Sequence, residues 1–121
     1  MRAHLHVSTD VPDTDLVARL TDVAPDGTSL MIQEGALRLR YRDGYATPEL
    51  MEPGTVYEAT VDLRDIAYTV PAGHRLRLHV AGSSFPRLAR NPQTGGDPYR
   101  ETELRKAEIT VLGGRVILRE W

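Results

Sequence analysis

Apolar side chains recur at every second residue along most of this chain, and that period decides what it can fold into. Ala36-Leu37-Arg38-Leu39-Arg40-Tyr41-Arg42 and His74-Arg75-Leu76-Arg77-Leu78-His79-Val80 alternate apolar residues with cations. A pleated strand sends successive side chains to opposite faces, so each run offers one apolar face and one wet face. Leu5 and Val7 alternate in the same way with His4, His6 and Ser8, and Leu16, Ala18 and Leu20 with Val17, Arg19 and Thr21. Tyr57, Ala59, Val61 and Leu63 oppose Val56, Glu58, Thr60 and Asp62. Glu108–Val111 and Arg115–Arg119 complete the set. Turn signals separate the runs at Pro25-Asp26-Gly27, Pro53-Gly54 and Pro71-Ala72-Gly73. Gly113-Gly114 predicts a tight hairpin turn between Ile109–Leu112 and Arg115–Leu118. About eight short strands at this spacing predict an all-β sandwich or barrel. Helical periodicity is missing throughout; Tyr99–Ala107 suits a single helical turn or a strand equally. Ser83–Arg100, with three prolines and Gly95-Gly96, is the longest irregular segment, and such loops are usually functional or packed against something.

A chain of 121 residues predicts a single domain spanning 1–121. The absence of cysteine excludes a disulfide scaffold, a thiol nucleophile and any cysteine metal site. A net charge of −2 argues against a broad nucleic-acid footprint. No apolar run approaches the roughly 18 residues that cross a bilayer, so no membrane partner is expected. The N-terminus has no signal-peptide core, which leaves the compartment unset and cytoplasmic by default. Of the 15 basic residues all but Lys106 are arginine. Their spread along the chain fits codon bias better than selection for bidentate contacts.

Catalytic chemistry finds little footing. Ser8, Ser29, Ser83 and Ser84 are the only serines, and none lies in Gly-x-Ser-x-Gly. Gly82-Ser83-Ser84-Phe85 runs into Pro86 instead of a helix, so no catalytic residue is assigned. His4 and His6 share a strand face and are weak zinc candidates, against the plainer reading of a polar outer face. Asp10, Asp13 and Asp15 invite a calcium reading but lack the loop of an EF-hand, and aspartates of this spacing also make turns. No metal and no cofactor are expected. Glu49, Glu52, Glu58, Asp62 and Asp65 offer carboxylates whose separation the sequence does not give. Tyr41, Tyr45, Tyr57, Tyr68 and Trp121 offer a sugar-stacking platform, although strand tyrosines are more often cross-strand partners. Phe85 is the only phenylalanine and lies among Arg87, Arg90 and Asn91. An aromatic beside arginines in a long loop is the composition of an interface anchor.

Three blocks in order carry a resemblance. They are Val7–Gly27, then Leu37–Arg42 followed by Pro53-Gly54-Thr55-Val56-Tyr57, then Ala72–Leu78 running on to Ser83-Ser84-Phe85-Pro86-Arg87 and Arg90-Asn91-Pro92. Together they resemble the C-terminal domain of the X-Pro dipeptidyl-peptidase and cocaine esterase (CocE/NonD) family of serine hydrolases. The resemblance runs from about His4 to Gly96 and is weaker over the last part of the chain. It implies a jelly-roll β-sandwich of the galactose-binding-domain-like type. It also implies a non-catalytic accessory role beside an α/β-hydrolase domain, in the same or a separate chain, that would hydrolyse esters or peptide-like bonds. Phe85, Arg87, Arg90 and Asn91 are then the candidate domain-interface residues. Family members carry more sandwich sequence ahead of the segment matching Arg2–Ser8, so a sandwich lacking its first strands is expected. Its open edges would favour a homo-oligomer. The alternatives are a carbohydrate-binding module and, third, a small metal-dependent enzyme using His4, His6 and the aspartates.

Overall fold

The computed structural model describes residues 1–83, 91–97 and 100–118. These residues form two three-stranded antiparallel sheets. One sheet holds β4 (Tyr57–Asp62), β1 (Arg2–Thr9) and β6 (Ile109–Ile117), in that order. The other holds β3 (Ser29–Arg38), β2 (Asp15–Val23) and β5 (Arg75–Ala81). The expected all-β sandwich is what the chain builds.

The alternation sorts side chains as the pleat requires. Ala3, Leu5 and Val7 of β1 are buried, while Arg2 and His6 are exposed. The inward residues meet Leu16 and Ala18 of β2 and Ala59 and Val61 of β4, with Leu39, Met51 and Leu63 closing the core. Each fully buried leucine among them contributes roughly 1.5–3 kcal/mol. As the central strand of its sheet, β2 is buried along nearly its whole length. The turn from β2 to β3 forms where Pro25-Asp26-Gly27 predicts it. Gly27 takes a φ of +90° and donates to the Ala24 carbonyl at 2.9 Å, and the Thr28 amide donates to Asp26 Oδ1 at 2.9 Å.

Three strand expectations need correction. The described residues hold six strands, fewer than the turn signals suggest. First, Gly113-Gly114 is not a hairpin turn: Ile109–Ile117 is one continuous strand paired with β1, with a register shift between His6 and Val7. Neither glycine has a positive φ. Gly114 is there for close approach, because a Cβ on it would lie 2.6 Å from the His4 carbonyl oxygen. Second, the strand expected over Ala36–Arg42 stops at Arg38, and Leu39–Tyr41 make a 3-10 turn. Leu39 plunges into the core, and its amide donates to the Thr14 carbonyl at 2.9 Å, away from the strand ladder. Third, β3 begins at Ser29, far ahead of the alternating run. A register shift between Leu20 and Thr21 breaks the period there, and consecutive Leu30, Met31 and Ile32 hide it. Residues 101–107 are neither helix nor strand.

Among the described residues the sandwich closes on one side only. Gly35 of β3 packs against β4 so tightly that a Cβ on it would lie 2.1 Å from the Asp62 carbonyl oxygen. On the opposite side β5 and β6 are the outer strands of their sheets, and no described strand lies beyond either.

Candidate functional site

The aspartates of the β1–β2 connection build a buried anchor. Asp13 is fully buried; its Oδ2 accepts from Arg40 Nε at 2.8 Å and from Asn91 Nδ2 at 3.0 Å, and its Oδ1 accepts the Arg40 amide at 2.9 Å. Asp15 takes Arg38 on both oxygens, at 2.9 and 3.3 Å, and Asn91 Nδ2 at 2.9 Å. The hydrogen bond that Arg38 donates to Asp15 is the main reason its guanidinium is held above its ordinary range. Arg40 Nη2 also donates to the Gly96 carbonyl at 2.9 Å, and Thr14 hydrogen-bonds to the Gln93 side chain. The result is a lock: two carboxylates, two guanidiniums and one amide fasten the 91–97 segment to the ends of β2 and β3. Every carboxylate oxygen here already accepts from a cation or an amide, which is the chemistry of a structural anchor.

This places the expected site residues. Asn91 is buried, with its amide spent on the anchor and its Oδ1 accepting the Gln93 amide. Phe85, Arg87 and Arg90 lie outside the described residues. Asp10 stands apart from Asp13 and Asp15, accepting the Glu108 amide at 2.8 Å. His4 and His6 lie on the outer face of β1, where Thr60 meets His4 Nδ1 at 3.0 Å and Glu58 meets His6 Nε2 at 3.2 Å. Among the described residues no three His, Asp or Glu side chains converge on a metal-holding geometry. The tyrosines are scattered in use. Tyr41 and Tyr45 pack with rings tilted by 39°, Tyr57 lies under Arg42, and Trp121 falls outside the described residues.

Sequence reasoning missed one cluster. Tyr68 hydroxyl donates to Asp22 Oδ2 at 2.6 Å, and His74 Nδ1 lies 2.7 Å from Asp22 Oδ1. Asp22 is held below its usual range chiefly by the Tyr68 hydrogen bond, with His74 adding to it and burial opposing; the same bond raises Tyr68. A His–Asp pair supplies two of the three members of a catalytic triad, but among the described residues no serine hydroxyl is hydrogen-bonded to the His74 ring. What the cluster does is pin the 63–74 connection onto the end of β2 and β5. No sequence spacing links residues 22, 68 and 74, so only the fold reveals it.

The larger feature is the open side of the sandwich. Leu76, Leu78 and Val80 of β5 face the interior, as do Val111 and Val116 of β6. Yet Val111 is 45% exposed and Leu76 40%, and Leu112, at the register shift, is 58% exposed. A cleft of about 420 Å³ runs between β5 and β6 with Leu5 at its floor. A second cleft, about 660 Å³, continues it past Val80 toward Asn91, Gln93 and Leu104. Leu78, Val80 and Val116 are thus only partly buried against the core, and Leu76, Val111 and Leu112 are left in solvent beside them. Exposed apolar surface of this contiguity marks an interaction surface. Among the described residues no helix is long and apolar enough to cross a membrane.

The described residues thus form a two-sheet sandwich locked by an internal polar anchor, with β5 and β6 as outer strands. The chain belongs to the family of X-Pro dipeptidyl-peptidase C-terminal non-catalytic domains, whose model matches residues 1–116. It is 40% identical over 99 residues to the cocaine esterase of Rhodococcus sp. (strain MB1 Bresler), covering 82% of this chain and 17% of that protein. Among solved structures it resembles an aminopeptidase from a marine sediment Thaumarchaeota archaeon, with a TM-score of 0.80 and 32% identity. It also resembles an α-amino acid ester hydrolase, with a TM-score of 0.78 and 28% identity. Both matches cover 91% of this chain and 20% of the other, so the chain spans about a fifth of the length of these relatives.

Proposed function

We propose that residues 1–121 act as one non-catalytic sandwich domain that packs against an α/β-hydrolase domain, in the same or a separate chain. The hydrolase domain would supply the nucleophile and cleave esters or peptide-like bonds. The observation that carries this reading is the seam: Leu76 of β5 and Val111 and Leu112 of β6 stay exposed, and no described strand lies beyond either strand to cover them. The Asn91 anchor supports it. It fixes one end of the segment on which Phe85, Arg87 and Arg90 lie in sequence, and those three remain the proposed interface contacts. The outer edges of β5 and β6, with no described strand beyond them, also permit self-association, which sedimentation across a concentration range would detect.

The test is a graft. Rhodococcus cocaine esterase with its matching 99 residues replaced by this chain should be soluble and hydrolyse ester. The isolated chain should neither turn over a short aryl ester nor form an adduct with a serine-directed phosphonate. Phosphonate-sensitive turnover by the isolated chain would refute the reading.

A further inference from the structure

We propose that the outer edge of β5, beyond which no described strand lies, takes an extended partner strand in which acidic residues alternate with apolar ones. This deepens, and rests on, the reading of the chain as an accessory sandwich. β5 reads Arg75-Leu76-Arg77-Leu78-His79-Val80-Ala81. Its pairing with β2 sets Arg77 opposite Thr21 and His79 opposite Arg19 on the outer face, and Leu76 and Leu78 opposite Asp22 and Leu20 on the inner face. Arg75, Arg77 and His79 are exposed, and among the described residues none of the three forms an ion pair with a carboxylate. By contrast Arg19, one strand inward, is paired with Glu34 at 2.5 Å. The β2–β3 interface therefore balances its outer-face charge, and the β5 edge does not.

An added antiparallel strand would hydrogen-bond to this outer backbone edge, as in β-augmentation. Its inner residues would cover Leu76, Leu78 and Val80 and roof the cleft toward Val111 and Leu112. Its outer residues would stand beside Arg75, Arg77 and His79, where opposite charges stabilise and like charges repel. Edge arginines also deter unwanted strand pairing. That role alone leaves the half-exposed Leu76 and Val111 without a cover, so the charge pattern specifies which strand is admitted.

The test uses the 121-residue chain and two capped peptides of about seven residues, one alternating valine with glutamate and one valine with lysine. The glutamate peptide should bind about tenfold more tightly, the sum of two or three cross-strand pairs, with amide shifts concentrated in β5. In the Arg75→Glu/Arg77→Glu variant, shown folded by its amide spectrum, the preference should invert. Binding without charge preference, shifts centred elsewhere, or no binding would overturn the proposal. So would a dimer dissolved by that variant, since the seam would then belong to a second copy. Peptide binding at β5 beside an inactive esterase graft would uphold the strand and remove the hydrolase reading. An active graft with no peptide binding would remove the strand alone.

Discussion

Replacing Asp13 with alanine should cost this domain a large part of its stability. The Asp13 carboxylate is fully buried and accepts three hydrogen bonds, two of them from Arg40 and one from Asn91. Its removal leaves the Arg40 guanidinium, whose side chain is only 12% exposed, without its counter-charge. It also leaves the Asn91 amide with Asp15 alone. Breaking one side of a buried ion pair typically costs about 3–5 kcal/mol, because the stranded charge keeps its desolvation penalty. With a urea dependence of about 2 kcal/mol per molar for a small domain, the midpoint should fall by about 2 M. Against a total of about 5–15 kcal/mol, such a loss is severe. Asp13→Ala combined with Arg40→Met should recover part of it, because the stranded charge goes too. Equilibrium urea unfolding of wild type, both single variants and the double variant gives the coupling directly. A single-variant cost below about 1 kcal/mol, or a coupling near zero, would refute the anchor argument.

Other outcomes follow from the same geometry. Gly114→Ala should destabilise, since its Cβ would press on the His4 carbonyl, whereas Gly113→Ala, with nothing within 4 Å, should be tolerated; thermal melts compare the two. Gly35→Ala should be worse than either, with a Cβ inside contact distance of the Asp62 backbone, and the same melts rank it. Asp22 sits below its ordinary value of 3.8. A carboxyl lowered on folding gives stability that is complete above the unfolded value and is lost as pH falls through the folded one. Tyr68→Phe should therefore raise the Asp22 pKa in an NMR titration and shrink the stability lost on acidification below about pH 4; an unchanged Asp22 titration would contradict the assignment.

Much of the frame was legible because alternation is a local signal. Leu5 and Val7, or Leu76 and Leu78, declare a strand and its inner face without any knowledge of partners. Glycine is where local reading fails. Gly113-Gly114 has the composition of a turn, but the reason for Gly114 is the His4 carbonyl, contributed from the other end of the chain. Leu39 continues an alternating run yet leaves its strand to enter the core, its amide donating to the Thr14 carbonyl from a distant part of the chain. The aspartates at 13 and 15 were visible as a cluster, but whether they hold a metal ion or a guanidinium depends on Arg38 arriving from the end of β3 and Arg40 from the 3-10 turn after it. Asn91 was visible as part of an interface loop; its inward turn depends on those same carboxylates. Tyr68, Asp22 and His74 meet only through topology.

The central claim is that the β5–β6 seam is a surface another domain covers. Hydrogen exchange of the β5 and β6 amides tests it most directly, in the isolated chain and in the esterase graft. Fast exchange is expected in isolation at the alternate amides of β5 and β6 that point away from β2 and β1, with marked protection of those same amides in the graft and with β1 and β2 already protected in both. Equal protection of β5 and β6 in the two proteins would contradict it.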